Sequence, residues 1–258
     1  MRIADALDAA ITGVVVEVGF VAPYGFAFLE ARRLLAAQRG VALRLQSPSR
    51  GHERPFWEVI GFGGTGTGSP TTLRLRRFGE GDEGEIGRFL LEEWVSRAER
   101  LSQVASGYVV GSVGEIFANA LTHARSPVGV VSCGQYFPTS GNLHLSVVDA
   151  GIGIPASLAE AAGRREEEID PAAAIAWAFE RGHSTLATSR GLGLANIRAF
   201  IRRNGATLHV FSGGAYAMLT GDRWSAAPLG FRFPGTLVDL EVPTAQVRTP
   251  SPSEKELP

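Results

Sequence analysis

The stretch VVDAGIGIP at residues 147–155 constrains this chain more than any other: an apolar run stops in an acid, Asp149, and Gly151 and Gly153 follow at once before Pro155. The preceding segment reads as a strand at about 142–149. A plain turn needs less than an acid and two glycines. A carboxylate at a strand end can accept hydrogen bonds from an exocyclic amine. Glycines beside it allow backbone dihedrals and a close approach that a Cβ forbids, so that a flat ligand can lie against the chain. Taken alone, the same residues also describe a capped strand-end turn. They are not a calcium loop, because the further acids of that motif are missing.

The rest of the chain offers partners for this stretch. Glu115, Asn119 and His123 recur at i, i+4 and i+8 in VGEIFANALTHA, a predicted helix over 113–124. They form one stripe drifting by about 40° per step. Ile116, Phe117, Ala120, Leu121 and Ala124 fill the adjacent core face. The stripe alone reads as a solvated helix face; with a ligand it supplies a base, a metal-coordinating oxygen and a phosphate donor in series. Further on, Arg190, Gly191, Leu192, Gly193 and Leu194 open a helix that ends at Gly205. Unobstructed N–H groups at such an N-terminus suit phosphates. Finally, Gly235 and Thr236 enter a last strand at 236–242, where the threonine hydroxyl is either a β-branched strand opener or a partner for a base or water.

Around these motifs the chain divides into a strand–helix–strand unit over 1–62, a linker and strand over 63–82, the motif-bearing region 83–242, and a Pro/Ser/Thr-rich tail over 243–258 expected to be disordered. Strands are expected at 12–19, 41–47, 71–78, 128–136, 206–211 and 215–219, with amphipathic helices at 26–40 and 83–105. Gly61, Gly63 and Gly66 match G-x-G-x-x-G, but Pro70 and a strand-like TTLRLRRF follow where a dinucleotide site requires a helix. Across 258 residues the formal charge is −1, which argues against a general nucleic-acid or membrane-surface binder. No apolar run reaches the roughly 18 residues of a membrane span, and a lone Cys133 fits a reducing, cytoplasmic setting. All basic residues are arginines except Lys255, so mechanisms built on a buried lysine are excluded.

In order and spacing, Glu-x3-Asn-x3-His-Ala, Asp-x-Gly-x-Gly-Ile-Pro, a lid-length gap, Gly-x-Gly-Leu and a strand-entering Gly-Thr resemble the GHKL ATPases, the superfamily of gyrase, heat-shock chaperone ATPases, mismatch-repair ATPases and histidine-kinase catalytic domains. The resemblance covers about residues 83–242. It implies an α+β fold, a two-layer sandwich of Bergerat type with a mixed, mainly antiparallel sheet covered on one face by helices. It further implies ATP and Mg²⁺ as cofactors. Asp149 would read the adenine amine, Gly151, Gly153 and Ile154 would lie beside the base, and Thr236 would support it. Asn119 would coordinate Mg²⁺, with His123 near the phosphates; Arg190 through Leu194 would hold the phosphates, with 156–190 as a lid. Glu115 would act as general base.

Within that superfamily the form EIFANALTHA looks closest to anti-sigma-factor serine kinases. The N-terminal unit resembles a STAS module, with Ala22-Pro23-Tyr24-Gly25 where the phosphorylatable serine would stand. The expected function is therefore a regulatory protein kinase or slow ATPase switch acting in signalling on a STAS-type or sigma-factor-like partner. A non-enzymatic ATP/ADP sensor that signals through its lid is the alternative. Neither nucleic acid nor membrane is an expected partner, and a homodimer remains open.

Overall fold

A computed structural model describes residues 13–17, 22–46, 56–64, 66, 68–98, 103–180 and 193–248. The first unit is β1 (Gly13–Glu17), α1 (Pro23–Gln38) and β2 (Ala42–Gln46), with β1 and β2 paired in parallel. Pro23 at the first helical position presets φ for α1. A short α2 (Phe56–Ile60) and a 3-10 turn (Phe62–Gly64) lead to β3 (Thr72–Phe78). No helix begins at Gly66, so the G-x-G-x-x-G match is indeed not a dinucleotide loop.

The principal sheet has five antiparallel strands in the order β3-β4-β5-β7-β6, with β4 (Val130–Phe137), β5 (Asn142–Asp149), β6 (Thr207–Thr220) and β7 (Arg223–Pro243). This is the mixed α+β sandwich expected. Alternation assigns the faces. Leu143, Leu145 and Val147 of β5 and Val238, Leu240 and Val242 of β7 join the front core, beneath α4 (Gln103–His123) and α7 (Gly193–Asn204). Phe78, Phe89 and Phe117 meet edge-on there at centroid distances of 5.1–6.4 Å. On the back face, Phe26, Ala27, Leu29 and Ala31 of α1 pack with Val131, Cys133 and Val148. The N-terminal unit thus shares a core with the sheet, which is covered by helices on both faces and not on one alone. Cys133 is fully buried there, and burial pushes its thiol pKa up, as expected of a small core residue.

Several elements differ from the sequence expectation. The helix predicted over 83–105 is α3 (Glu83–Arg88), continued by a π-helical stretch (Phe89–Trp94) and a 3-10 turn (Val95–Arg97). In contrast, α4 starts at Gln103, ten residues before the predicted 113. Gly107, Gly111 and Gly114 disfavour helix by about 1 kcal/mol each, but burial of Val109, Val113, Ile116 and Phe117 along the same helix outweighs them. The predicted strands 206–211 and 215–219 are one strand, β6, bulged around Ser212–Ala215. Likewise the predicted 236–242 is the inner end of the 21-residue β7. Its outer half carries Pro228 and Pro234, which mask a strand in sequence yet are tolerated where only one neighbour pairs. After Pro243 a 3-10 turn (Thr244–Gln246) follows, and Thr244 is buried with its hydroxyl donating to Gly141 O at 2.8 Å. The rest of the predicted tail beyond Arg248 lies outside the described residues.

Candidate nucleotide site

Antiparallel register places Asp149 opposite Thr236, and Thr236 opposite Ser212, so three adjacent strands form one polar row on the front face where β5 ends. Asp149 is only 3 % exposed. Its Oδ1 accepts from Gly151 N at 2.8 Å and from Thr236 N at 3.2 Å. Burial dominates over these bonds and pushes its carboxyl up to about 6. A buried carboxylate with one oxygen fixed by two backbone N–H groups is aimed, and it favours any ligand that brings a further donor.

The glycines act first on the protein's own backbone. A Cβ on Gly151 would stand 1.8 Å from Ala124 O, at the end of α4, and the neighbouring Ile152 N donates to that carbonyl at 3.0 Å. Gly153 has φ +84° and caps α5 (Ile154–Ala161); its Cβ would press on Ser212 Oγ at 3.0 Å and on Gly235 O at 3.1 Å. Gly235, at φ +94°, would meet Asp149 O at 2.2 Å. Glycine at these three places lets the loop, the helix end and β7 close on one another.

Ser212 is a site residue that sequence reasoning missed. Its hydroxyl accepts from Ile154 N at 2.8 Å, donates to Gly235 O at 3.2 Å, and lies 3.2 Å from Thr236 Oγ1. A lone serine before Gly213-Gly214 reads as a strand break, and only the pairing register reveals it as the third member of the row.

From the other side, α4 carries Glu115, Asn119 and His123, all half-buried. Asn119 Nδ2 donates to Glu115 O at 2.7 Å. Flipping the amide would set oxygen against oxygen, so Oδ1 is the atom offered outward. An amide oxygen is a hard donor of the kind that suits Mg²⁺, which needs few protein ligands. Among the described residues no group of three His, Cys, Asp or Glu side chains could hold a metal ion. Burial holds the His123 imidazole below its ordinary pKa, leaving a neutral ring that donates one N–H.

The structure therefore brings Asp149, Gly151, Gly153, Ile154 and Thr236 together, and joins them to the C-terminal end of α4 through Ala124. Arg190, Gly191 and Leu192 lie outside the described residues, as do residues 181–190 of the expected lid. Its described part, 156–180, holds the rest of α5, a 3-10 turn (Glu166–Glu168) and α6 (Pro171–Ala178), with Ile175 and Phe179 buried in the front core. Gly193 opens α7, and the Leu194 side chain packs against the front core. No helix among the described residues is long and apolar enough to cross a membrane.

Comparison with curated proteins returns no match. The family model of histidine kinase-, DNA gyrase B- and HSP90-like ATPases matches residues 110–245, from within α4 to the end of β7. That span is more than half of the chain and contains every element that builds the site, so the chain belongs to the histidine kinase-, DNA gyrase B- and HSP90-like ATPase family.

Proposed function

We propose that the protein binds ATP with Mg²⁺ in the site formed by α4, the loop after β5 and the inner end of β7, and acts on a protein partner as a regulatory kinase or slow ATPase switch. Membership of an ATP-binding kinase and ATPase family supports the nucleotide. The observation that carries the assignment of residues is Asp149: a buried carboxylate, held on one oxygen by Gly151 N and Thr236 N, at the end of a row with Thr236 and Ser212. An exocyclic amine of adenine satisfies it. Gly151, Gly153 and Ile154 then flank the base, with Thr236 beside the carboxylate.

In this reading Asn119 Oδ1 would hold Mg²⁺, which would neutralise phosphate charge, and His123 contributes a neutral donor close by. The backbone of Arg190, Gly191, Leu192, Gly193 and Leu194 receives the phosphates at the start of α7, with 156–190 as lid. Glu115, one turn before Asn119, is the general base and takes the proton of the attacking hydroxyl, directly or through one water. The form of the α4 motif favours the anti-sigma-factor kinase branch. A STAS-like reading of the N-terminal unit favours a docking role for it, since no serine stands at 22–25.

Turnover of ATP by purified protein, alone and with candidate partners, tests this. Glu115→Ala should lower turnover by about 10²–10⁴-fold, the range of a positioned general base, while nucleotide affinity stays within about twofold. Saturable binding with no γ-phosphate loss under any partner would instead identify a non-enzymatic ATP/ADP sensor.

A further inference from the structure

We propose that a cleft on the back face of the sheet binds a small organic cation, a primary ammonium on a flat apolar body. The cleft has a volume of about 450 Å³, within the range of small-molecule sites. It lies on the face opposite the nucleotide row, because Asp239 and His209 alternate with the front-core residues Val238, Leu240, Leu208 and Val210.

Its floor is a polar row across the back face. Ser146 pairs in register with Asp239, and Asp239 with His209. Asp239 is only 4 % exposed and lines the cleft. Its Oδ1 accepts from Ser146 Oγ at 2.5 Å, whereas Oδ2 stands 3.6 Å from His144 Nδ1, beyond a hydrogen bond. The carboxylate is thus largely out of water and incompletely bonded, which favours a ligand that donates to it.

The walls are aromatic, and their shape follows from the bulges around Ser212–Ala215. These bend β6 so that Tyr216 stacks back on His209, at a centroid distance of 6.0 Å and 15° between planes, with Tyr216 Oη 2.8 Å from His209 Nδ1. Phe211 meets Tyr216 at 4.8 Å. Tyr24, at the start of α1, supplies the facing wall, and residues 227–229 of β7 add an apolar flank. Among the described residues no arginine or lysine lines the cleft, and a second carboxylate, Glu241, lies 3.8 Å from His144 Nε2. An anion would meet Asp239, and a neutral apolar ligand would bury it unpaired. An ammonium ion between ring faces gains both the ion pair and the cation–π attraction. Tyr24 belongs to the N-terminal unit, so that unit completes a site that the ATPase fold alone leaves open on one side.

Calorimetric titration of the full chain with tryptamine, and with its uncharged analogue tryptophol, tests the proposal. Tryptamine should bind saturably at one site per chain, and tryptophol at least tenfold more weakly. Asp239→Asn, which keeps an acceptor for Ser146, should weaken tryptamine at least tenfold while the thermal transition stays in place. Tyr24→Ala, at an exposed position outside the sheet, should weaken it severalfold without touching the floor. The proposal is overturned if tryptamine shows no saturable binding, if tryptophol binds equally well, or if both variants leave tryptamine affinity unchanged.

Discussion

At Asp149 the energetics of the free protein meet the proposed recognition of adenine. Its pKa rises from 3.8 to about 6 on folding, so the folded chain holds this proton more tightly than the unfolded one. Stability of the free protein therefore falls as pH rises from about 4 to about 6, and the deficit is fully present at neutral pH. Asp149→Asn removes it and should raise the stability of the nucleotide-free protein at pH 7 by up to about 3 kcal/mol, read in denaturant melts. The same carboxylate must be ionised to accept an amine. Adenine-nucleotide affinity should thus be level above pH 7 and fall about tenfold per unit below about pH 6. Titrating wild type against Asp149→Asn isolates this term from the nucleotide's own phosphates; an identical pH profile for both proteins would separate Asp149 from the base.

At the scale of elements, α4 and the glycine loop make opposite predictions for the same substitution. Gly111 is exposed within α4, and a Cβ there meets nothing within 4 Å. Gly111→Ala should stabilise by about 0.5–1 kcal/mol. Loss of stability would mean that this face of α4 is covered in solution. Gly151→Ala drives a methyl into the Ala124 carbonyl. It should cost several kcal/mol, in the range of severe packing errors, and abolish nucleotide binding along with the bond from Ile152 N to Ala124 O.

These elements also mark what the sequence could convey. The faces of β5 and α4 follow from periodicity, and the motif residues on them were legible because side-chain chemistry and spacing are local properties. The bulged continuity of β6, the outer half of β7 and the place of Ser212 were not. They depend on which strand pairs with which, and glycine and proline in those stretches read as breaks. The early start of α4 was hidden for a related reason: tertiary burial of Val109 and Val113 overrides glycine's poor helix propensity.

For the whole molecule, the back face of the sheet couples the N-terminal unit to the ATPase fold. Phe26 is 1 % exposed and belongs to the core cluster that contains Val131, Val148, Phe233 and Leu237. Phe26→Ala should cost about 3–5 kcal/mol and lower the midpoint of one cooperative transition followed by circular dichroism and by tryptophan fluorescence. Two separable transitions would show the unit folding apart from the sheet. The expected boundary at residue 62 is thus a boundary of sequence pattern, crossed by a shared core.

Whether Asp149 reads an adenine nucleotide is decided by calorimetric titration of Mg–ATP into the wild-type chain and into Asp149→Asn at pH 7.5. One saturable site per chain is expected, weakened by about 10–100-fold in the variant, the scale of a hydrogen bond to a charged group left unmade. Absence of saturable binding to the wild type, or equal affinity for the two proteins, would contradict it.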